Sequence, residues 1–248
     1  MNPIPSLSLE QFLHNGFDLR RQLADHLQLE LAELDRQLPM ATEALAAAHP
    51  GAFDPDQAEA FYERAVGTGH LLELAAWHLS SAEYIADTLR LQQQFATGHV
   101  LDFGGGIGTH ALAAAALPQV ETVWFVDLNP ENRRFVEARA QRLGLAGKLR
   151  CFRDLDDSAL PERFETIVCL DVLEHLSDPT AQLDRFAARM TTHSVALLNW
   201  YFFKGFNGEY PFHVDDPLLV ERFFRRLQER FLEVFHPFLI TTRAYRLA

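Results

Sequence analysis

"LDFGGGIGTH", residues 101–110, decides the fold of this 248-residue chain. An apolar run leads through Asp102 into glycines at 104, 105, 106 and 108, and the alanine-rich "ALAAAALP" that follows is at ease only as a helix. Strand, glycine turn and helix open a βαβ unit. The dinucleotide fingerprint Gly-x-Gly-x-x-Gly fails, because counting from Gly104 through Gly106 puts Thr109 in its last place. The spacing is instead Gly104, Gly106, Gly108, with Asp102 two residues before the first. A carboxylate there would repel a pyrophosphate and attract an ammonium group. The turn therefore suits a ligand with a positive amino end, and a nicotinamide-dependent oxidoreductase is disfavoured on both counts.

Downstream of Thr97-Gly98, short apolar and β-branched runs alternate with helical stretches. "HVLDF", "ETVWFVDL", "KLRCF", "FETIVCL" and "SVALLNWYF" (194–202) read as strands. Helices are expected from about 108, over 131–144 and near 179–190. That alternation predicts an α/β fold, a mostly parallel sheet with helices on both faces, whose ligands bind beyond the carboxyl ends of the strands. A helix over 217–231 and an antiparallel pair over 232–248 close the chain. Residues 1–97 read as helical throughout, with apolar residues at three- and four-residue steps over 9–38. Asp54-Pro55 offers a cap and first turn for a further helix, and "GTG" at 67–69 breaks the pattern again. Two parts follow: a helical extension, 1–97, and a ligand-binding domain, 98–248.

Charge narrows the partners. The net charge is −12, and the extension carries 14 acidic residues against five arginines, so most of the excess lies there. Nucleic acid, which calls for a basic surface, is not expected. The start, "MNPIPSLSLEQFL", has no basic segment ahead of an apolar one, and no apolar run approaches the length of a membrane span. A cytoplasmic protein without membrane insertion is the expectation. Cys151 and Cys169 each sit in an apolar strand-like run, as buried free thiols do.

Asp102-Phe-Gly104-Gly-Gly106-Ile-Gly108 resembles the first motif of the class I S-adenosylmethionine-dependent methyltransferases. Further on, "VWFVDLNP" ends its strand in Asp127, where that family places the carboxylate that holds both ribose hydroxyls, with Leu128 beside it. "LRCFRDLDD" puts Asp154 where the family's acidic residue meets the adenine amino group. "FETIVCLDVLEHLSDP" is similar to the fourth motif of small-molecule methyltransferases of the quinone-biosynthesis type. The resemblance covers roughly residues 98–200. It implies a Rossmann-like seven-stranded sheet and S-adenosyl-L-methionine as cofactor, bound by Asp102, Gly104, Gly106, Gly108, Asp127, Leu128, Asp154 and Asp171. It also implies that the N-terminal helices form a lid.

Methyl transfer from a sulfonium is an in-line displacement, so alignment and exclusion of water carry most of the catalysis. A hydroxyl acceptor also has to lose a proton, and His175 or His213 is the candidate general base. Alternatively Asp171, Glu174, His175 and His213 hold a divalent ion, a pattern similar to the two acids and two histidines that bind metal in the small-RNA terminal methyltransferases. "NWYFFKGFNGEYPFH", 199–213, contains seven Phe, Tyr and Trp residues and reads as the wall of an acceptor pocket. Trp200, Tyr201 and Tyr210 are its candidates, joined by Tyr62, Trp77 and His78 from the extension. The expected activity is O- or N-methylation of a small molecule or a natural-product or peptide acceptor. The alternative is a non-catalytic S-adenosylmethionine-binding or assembly protein with the extension as partner surface.

Overall fold

The structure is a computed structural model and describes residues 7–48, 57–208, 210–237 and 240–248. Among the described residues, seven α-helices come first: α1 (Leu9–Asn15), α2 (Leu19–Leu27), α3 (Leu31–Gln37), α4 (Ala41–Ala47), α5 (Ala58–Ala60, running into a π-helical turn at Phe61–Ala65), α6 (Gly69–Ser80) and α7 (Ala82–Phe95). Among the described residues no strand precedes Gly98. The periodic stretch 9–38 folds as three α-helices. Gly16 at φ +59° closes α1 by donating its N–H to the Phe12 carbonyl, and Gln28 at φ +56° ends α2. A left-handed residue cannot continue a right-handed helix. The Asp54-Pro55 cap lies outside the described residues.

The sheet consists of β1 (Gly98–Phe103), β2 (Val120–Val126), β3 (Leu149–Phe152), β4 (Phe164–Cys169), β5 (Met190–Leu198), β6 (Phe231–Phe235) and β7 (Arg243–Leu247). Its order is β3-β2-β1-β4-β5-β7-β6, with β1 to β5 parallel and β7 antiparallel to both neighbours. Helices α8 (Thr109–Ala115), α9 (Pro130–Arg142), α10 (Pro179–Ala188) and α11 (Pro217–Arg230) flank it. Expected at 194–202, β5 instead runs from Met190 to Leu198. Its partner β4 ends at Cys169, opposite Leu198, and beyond it the Asn199 side chain accepts from the Asp171 N–H.

One face of the sheet packs Val100, Val123 and Phe125 against α7, α8 and α9 through Leu91, Leu112 and Val136. The other packs Leu101, Ile167 and Leu198 against α10 and α11 through Phe186 and Phe223. The extension joins this body through a shared core, with Leu19, Leu23, Leu71 and Ala75 against Ile107 and Phe135. Arg139, fully buried at 0% exposure, ties the two together. It donates to Gln22 Oε1 (2.8 Å), to the Ile107 carbonyl (2.9 Å) and to the Gly16 carbonyl at the end of α1 (3.2 Å). Helix-terminal carbonyls carry partial negative charge, which suits a guanidinium, though burial still lowers its pKa to about 9. Cys169 is buried, Cys151 half-buried, and both are free. Among the described residues, no helix is long and apolar enough to cross a membrane.

Candidate active site

The carboxyl ends of β1, β2, β4 and β5 open into a cavity of about 880 Å³, roofed by α6 and the π-helical turn of the extension. Its first end is the glycine turn. Gly104, Gly106 and Gly108 all have positive φ (+69°, +56° and +74°), a region that penalises any side chain. Close contacts add to this. A Cβ on Gly104 would strike Val172 Cγ2 at 2.5 Å, one on Gly106 would meet Leu74 Cδ1 at 2.7 Å, and one on Gly108 would strike Val136 Cγ2 at 2.5 Å. Gly104 and Gly106 line the cavity; Gly108 lies off it, where α9 packs on the turn.

Two carboxylates flank the turn. Asp102, near the end of β1, is buried, and its Oδ2 has no hydrogen-bond partner among the described residues. Burial, helped by the charge of Asp127, raises its pKa to about 7. Asp127 follows β2. Its Oδ2 accepts from the Gly106 N–H (2.9 Å), and its Oδ1 from the Asn129 N–H (2.8 Å) and Asn132 Nδ2 (3.2 Å). Burial raises its pKa to about 6 against those hydrogen bonds. Leu128 and Asp154 line the same end. Asp154 is held by Arg153 (2.6 Å) and by the Asp156 N–H (2.9 Å), with the latter the larger cause of its lowered pKa. Arg153 also reaches Glu63 (2.6 Å) and Glu59 (2.8 Å), bridging β3 to the extension.

The second end is assembled from distant segments. Asp171, past β4, is a non-glycine residue at φ +54°, a strained conformation. A reciprocal pair holds it: its N–H donates to Asn199 Oδ1 (2.5 Å), and Asn199 Nδ2 donates to Asp171 Oδ1 and to the Tyr84 hydroxyl, both at 3.0 Å. Burial raises the Asp171 carboxyl to about 6. Glu174, 1% exposed, is pushed up to about 8 by burial and by Asp171, and its Oε2 has no partner among the described residues.

His175 turns Nδ1 to the Phe212 carbonyl and the Tyr62 hydroxyl, both at 3.2 Å. Burial, helped by His213, lowers its pKa to about 3. His213 stands edge-on to it with ring centroids 4.7 Å apart, and turns its Nδ1 to the Phe203 carbonyl at 3.1 Å. The Val214 N–H donates to the Glu174 carbonyl (2.7 Å), which pins the 199–214 segment against Glu174 and His175.

The cavity wall brings together every candidate named from sequence except Gly108. From the aromatic run, Trp200, Tyr201 and Tyr210 face it, whereas Phe202 packs on Phe223 and Phe206 is 93% exposed. Four residues escaped sequence reasoning. Asn199 positions Asp171, Arg153 forms the bridge, and His110 lines the cavity with Nε2 at 2.8 Å from Thr88 Oγ1. Glu73, on α6, is raised to about 7 by burial. Only Glu73 left a usable signal: His70, Glu73, Leu74, Trp77, His78 and Ser81 form one cavity-facing stripe at helical spacing.

Residues 76–202, just over half of the chain, match the model of a family described as a methyltransferase domain. The chain belongs to that methyltransferase domain family. Its cofactor is S-adenosyl-L-methionine. The domain is similar to an O-methyltransferase family protein from Burkholderia thailandensis, at 15% identity and a TM-score of 0.56, covering 91% of this chain and 71% of that one. It is also similar to a SAM-dependent methyltransferase from Leishmania major, at 17% identity and a TM-score of 0.50, covering 84% and 91%. At such identities the likeness is one of fold. An uncharacterised protein of Synechococcus sp. is 32% identical over 122 residues, which are 48% of this chain but only 28% of that relative. This methyltransferase domain thus matches little more than a quarter of the relative's length.

Proposed function

We propose that this protein transfers the methyl group of S-adenosylmethionine to an oxygen or nitrogen of a small-molecule or peptide acceptor. The observation that supports the reading most is the pair of carboxylates on either side of the glycine turn, at the wall of a cavity that continues past Asp171 to aromatic side chains. The residues fit the donor. Asp102 Oδ2, buried and without a hydrogen-bond partner among the described residues, suits its ammonium group as an acceptor. Asp127, whose Oδ2 accepts one hydrogen bond from Gly106 and can accept a second, suits the ribose hydroxyls. Leu128 and Asp154 stand where the adenine end would lie, and Gly104 and Gly106 bring the main chain close. When bound, the donor supplies an electrophilic methyl group.

The chain's own residues then align the acceptor and keep water out. Tyr62, Trp77 and His78 come from the extension, which acts as a lid, and Trp200, Tyr201 and Tyr210 come from the opposite wall. Calorimetry with S-adenosylmethionine and S-adenosylhomocysteine, followed by incubation with labelled donor and a metabolite extract, tests the reading. Donor binding with label transferred to an extract component is expected. Absence of donor binding defeats it, and donor binding without transfer to any extract component points to a non-catalytic binding protein.

A further inference from the structure

We propose that Glu174, His175 and His213 form a binding site for one first-row divalent cation at the acceptor end of the cavity. Three observations carry this. First, the three side chains each offer a ligand atom, and these atoms lie within 4.8 Å of one another. An ion with ligand bonds of about 2.0–2.2 Å needs only a modest inward rotation of the side chains to be held by all three.

Second, the tautomers are set for it. Nδ1 of His175 faces the Phe212 carbonyl and Nδ1 of His213 faces the Phe203 carbonyl. A carbonyl can only accept, so in each ring the proton sits on Nδ1 and the lone pair on Nε2. Metal-bound histidines are oriented in this way, with the second ring nitrogen donating to a main-chain carbonyl. Third, Glu174 Oε2 is an orphan. The residue is 1% exposed, and this oxygen has no hydrogen-bond partner among the described residues. A buried polar atom left unpaired is destabilising, so such an atom calls for an explanation.

The ligand set also selects the ion. Two imidazoles and one carboxylate suit zinc, iron, cobalt or manganese, whereas magnesium takes oxygen ligands. Asp171 does not belong to the cluster, and its Oδ1 accepts from Asn199. Three protein ligands leave positions open, and all three residues line the cavity.

The role given to the ion rests on the methyl-transfer reading; its binding does not. A Lewis acid in this place lowers the pKa of an acceptor hydroxyl. The O–H bond breaks with its proton released to solvent, the O–C bond forms as the donor's C–S bond breaks, and sulfonium becomes neutral sulfide. The ion remains divalent throughout, and the acceptor is thereby a hydroxyl compound.

The test uses the full chain, stripped with a chelator and titrated with Co²⁺, followed by visible absorption and calorimetry. One Co²⁺ per chain is expected, with the ligand-field bands of a low-symmetry site, displaced by Zn²⁺ but not by Mg²⁺. Glu174→Gln and His213→Ala should each weaken binding at least about tenfold, while His193→Gln, exposed on β5 and away from the cavity, should leave it unchanged. His213 is only half-buried on a loop, so His213→Ala carries the test if Glu174→Gln fails to fold. Equal Co²⁺ affinity in wild type and His213→Ala, or displacement by Mg²⁺, overturns the site. Donor calorimetry on the same metal-free protein keeps the two readings apart: donor binding without a Co²⁺ site defeats the cation alone, and a Co²⁺ site without donor binding supports the cation while defeating methyl transfer.

Discussion

The two ends of the cavity are built on different principles. At the glycine turn, conformation and chemistry come from one short segment: β1, three left-handed glycines and β2, with Asp127 accepting from Gly106, Asn129 and Asn132. The three hydrogen bonds that Asp127 accepts span at most 21 residues of chain. The far end is closed by contacts such as Tyr62 to His175, 113 residues apart, and Asn199 to Tyr84, 115 apart. A locally closed turn tolerates almost no change of shape. An end assembled from the extension, the β4 exit and the 199–214 segment can be altered one wall at a time.

That contrast is most sharply broken at Gly108. Gly108→Val combines a left-handed φ with a Cβ 2.5 Å from Val136. The expected cost is about 3–5 kcal/mol, a fall in melting temperature of about 10 °C. Gly106→Ala meets only the flexible end of Leu74, so it should stay folded and lose donor affinity instead. Thermal unfolding followed by far-ultraviolet dichroism separates the two, and equal melting temperatures for both variants would contradict the packing role of Gly108.

Next in size comes pH. Burial lowers His110 from 6.5 to about 4, so between those values the unfolded chain binds a proton that the folded chain does not. Its contribution to stability is full above about pH 6.5 and is lost as the pH falls to about 4, by on the order of 3 kcal/mol. Asp102 runs the other way. Raised from 3.8 to about 7, it favours the fold at low pH, and that contribution is lost as the pH rises through 7. Urea denaturation across pH 4–7 should show a shallower acid-side loss in His110→Asn and a steeper one in Asp102→Asn. Unchanged profiles in both would refute the assignment.

Asp127→Ala should cost about 1.5–3 kcal/mol of donor binding, and Asp127→Asn less, because one acceptor oxygen remains. Calorimetry giving wild-type affinity for both variants would remove Asp127 from the donor site. The smallest effect belongs to the bridge at Arg153, whose side chain is 41% exposed. Exposed ion pairs contribute little, so Arg153→Gln should move the melting temperature by no more than about 2–4 °C. A larger drop in a thermal scan would mean that the bridge, rather than the shared core, holds the extension down.

The elements around the glycine turn were legible because each rests on a local rule. Glycine spacing, apolar runs ending in Asp102 and Asp127, and the βα alternation placed β1 to β4 within two residues or so. The end of β5 was misplaced because "NWYF" has strand-like composition; where the strand stops is decided by its partner ending at Cys169. Within the aromatic run the residue types were right and the facing was not. Loop side chains have no periodicity, so nothing local distinguishes Tyr201 at the cavity from Phe206 in solvent. Glu73 was readable in principle from its helical stripe; Arg153 was not, since its partners Glu59 and Glu63 are about 90 residues away.

The amino-acid sequence by itself therefore determined the strand–turn–helix unit, the carboxylates beside it, the nature of the cofactor and the helical character of the extension. Steric preference and hydrophobic periodicity act over a few residues and are written in order along the chain. Only the tertiary structure decided that Glu174, His175 and His213 converge while Asp171 pairs with Asn199, that both imidazoles carry their proton on Nδ1, and that Leu74 of the extension covers Gly106. Those outcomes depend on which buried polar atoms find partners. That is settled across segments dozens to more than a hundred residues apart, by the whole fold at once.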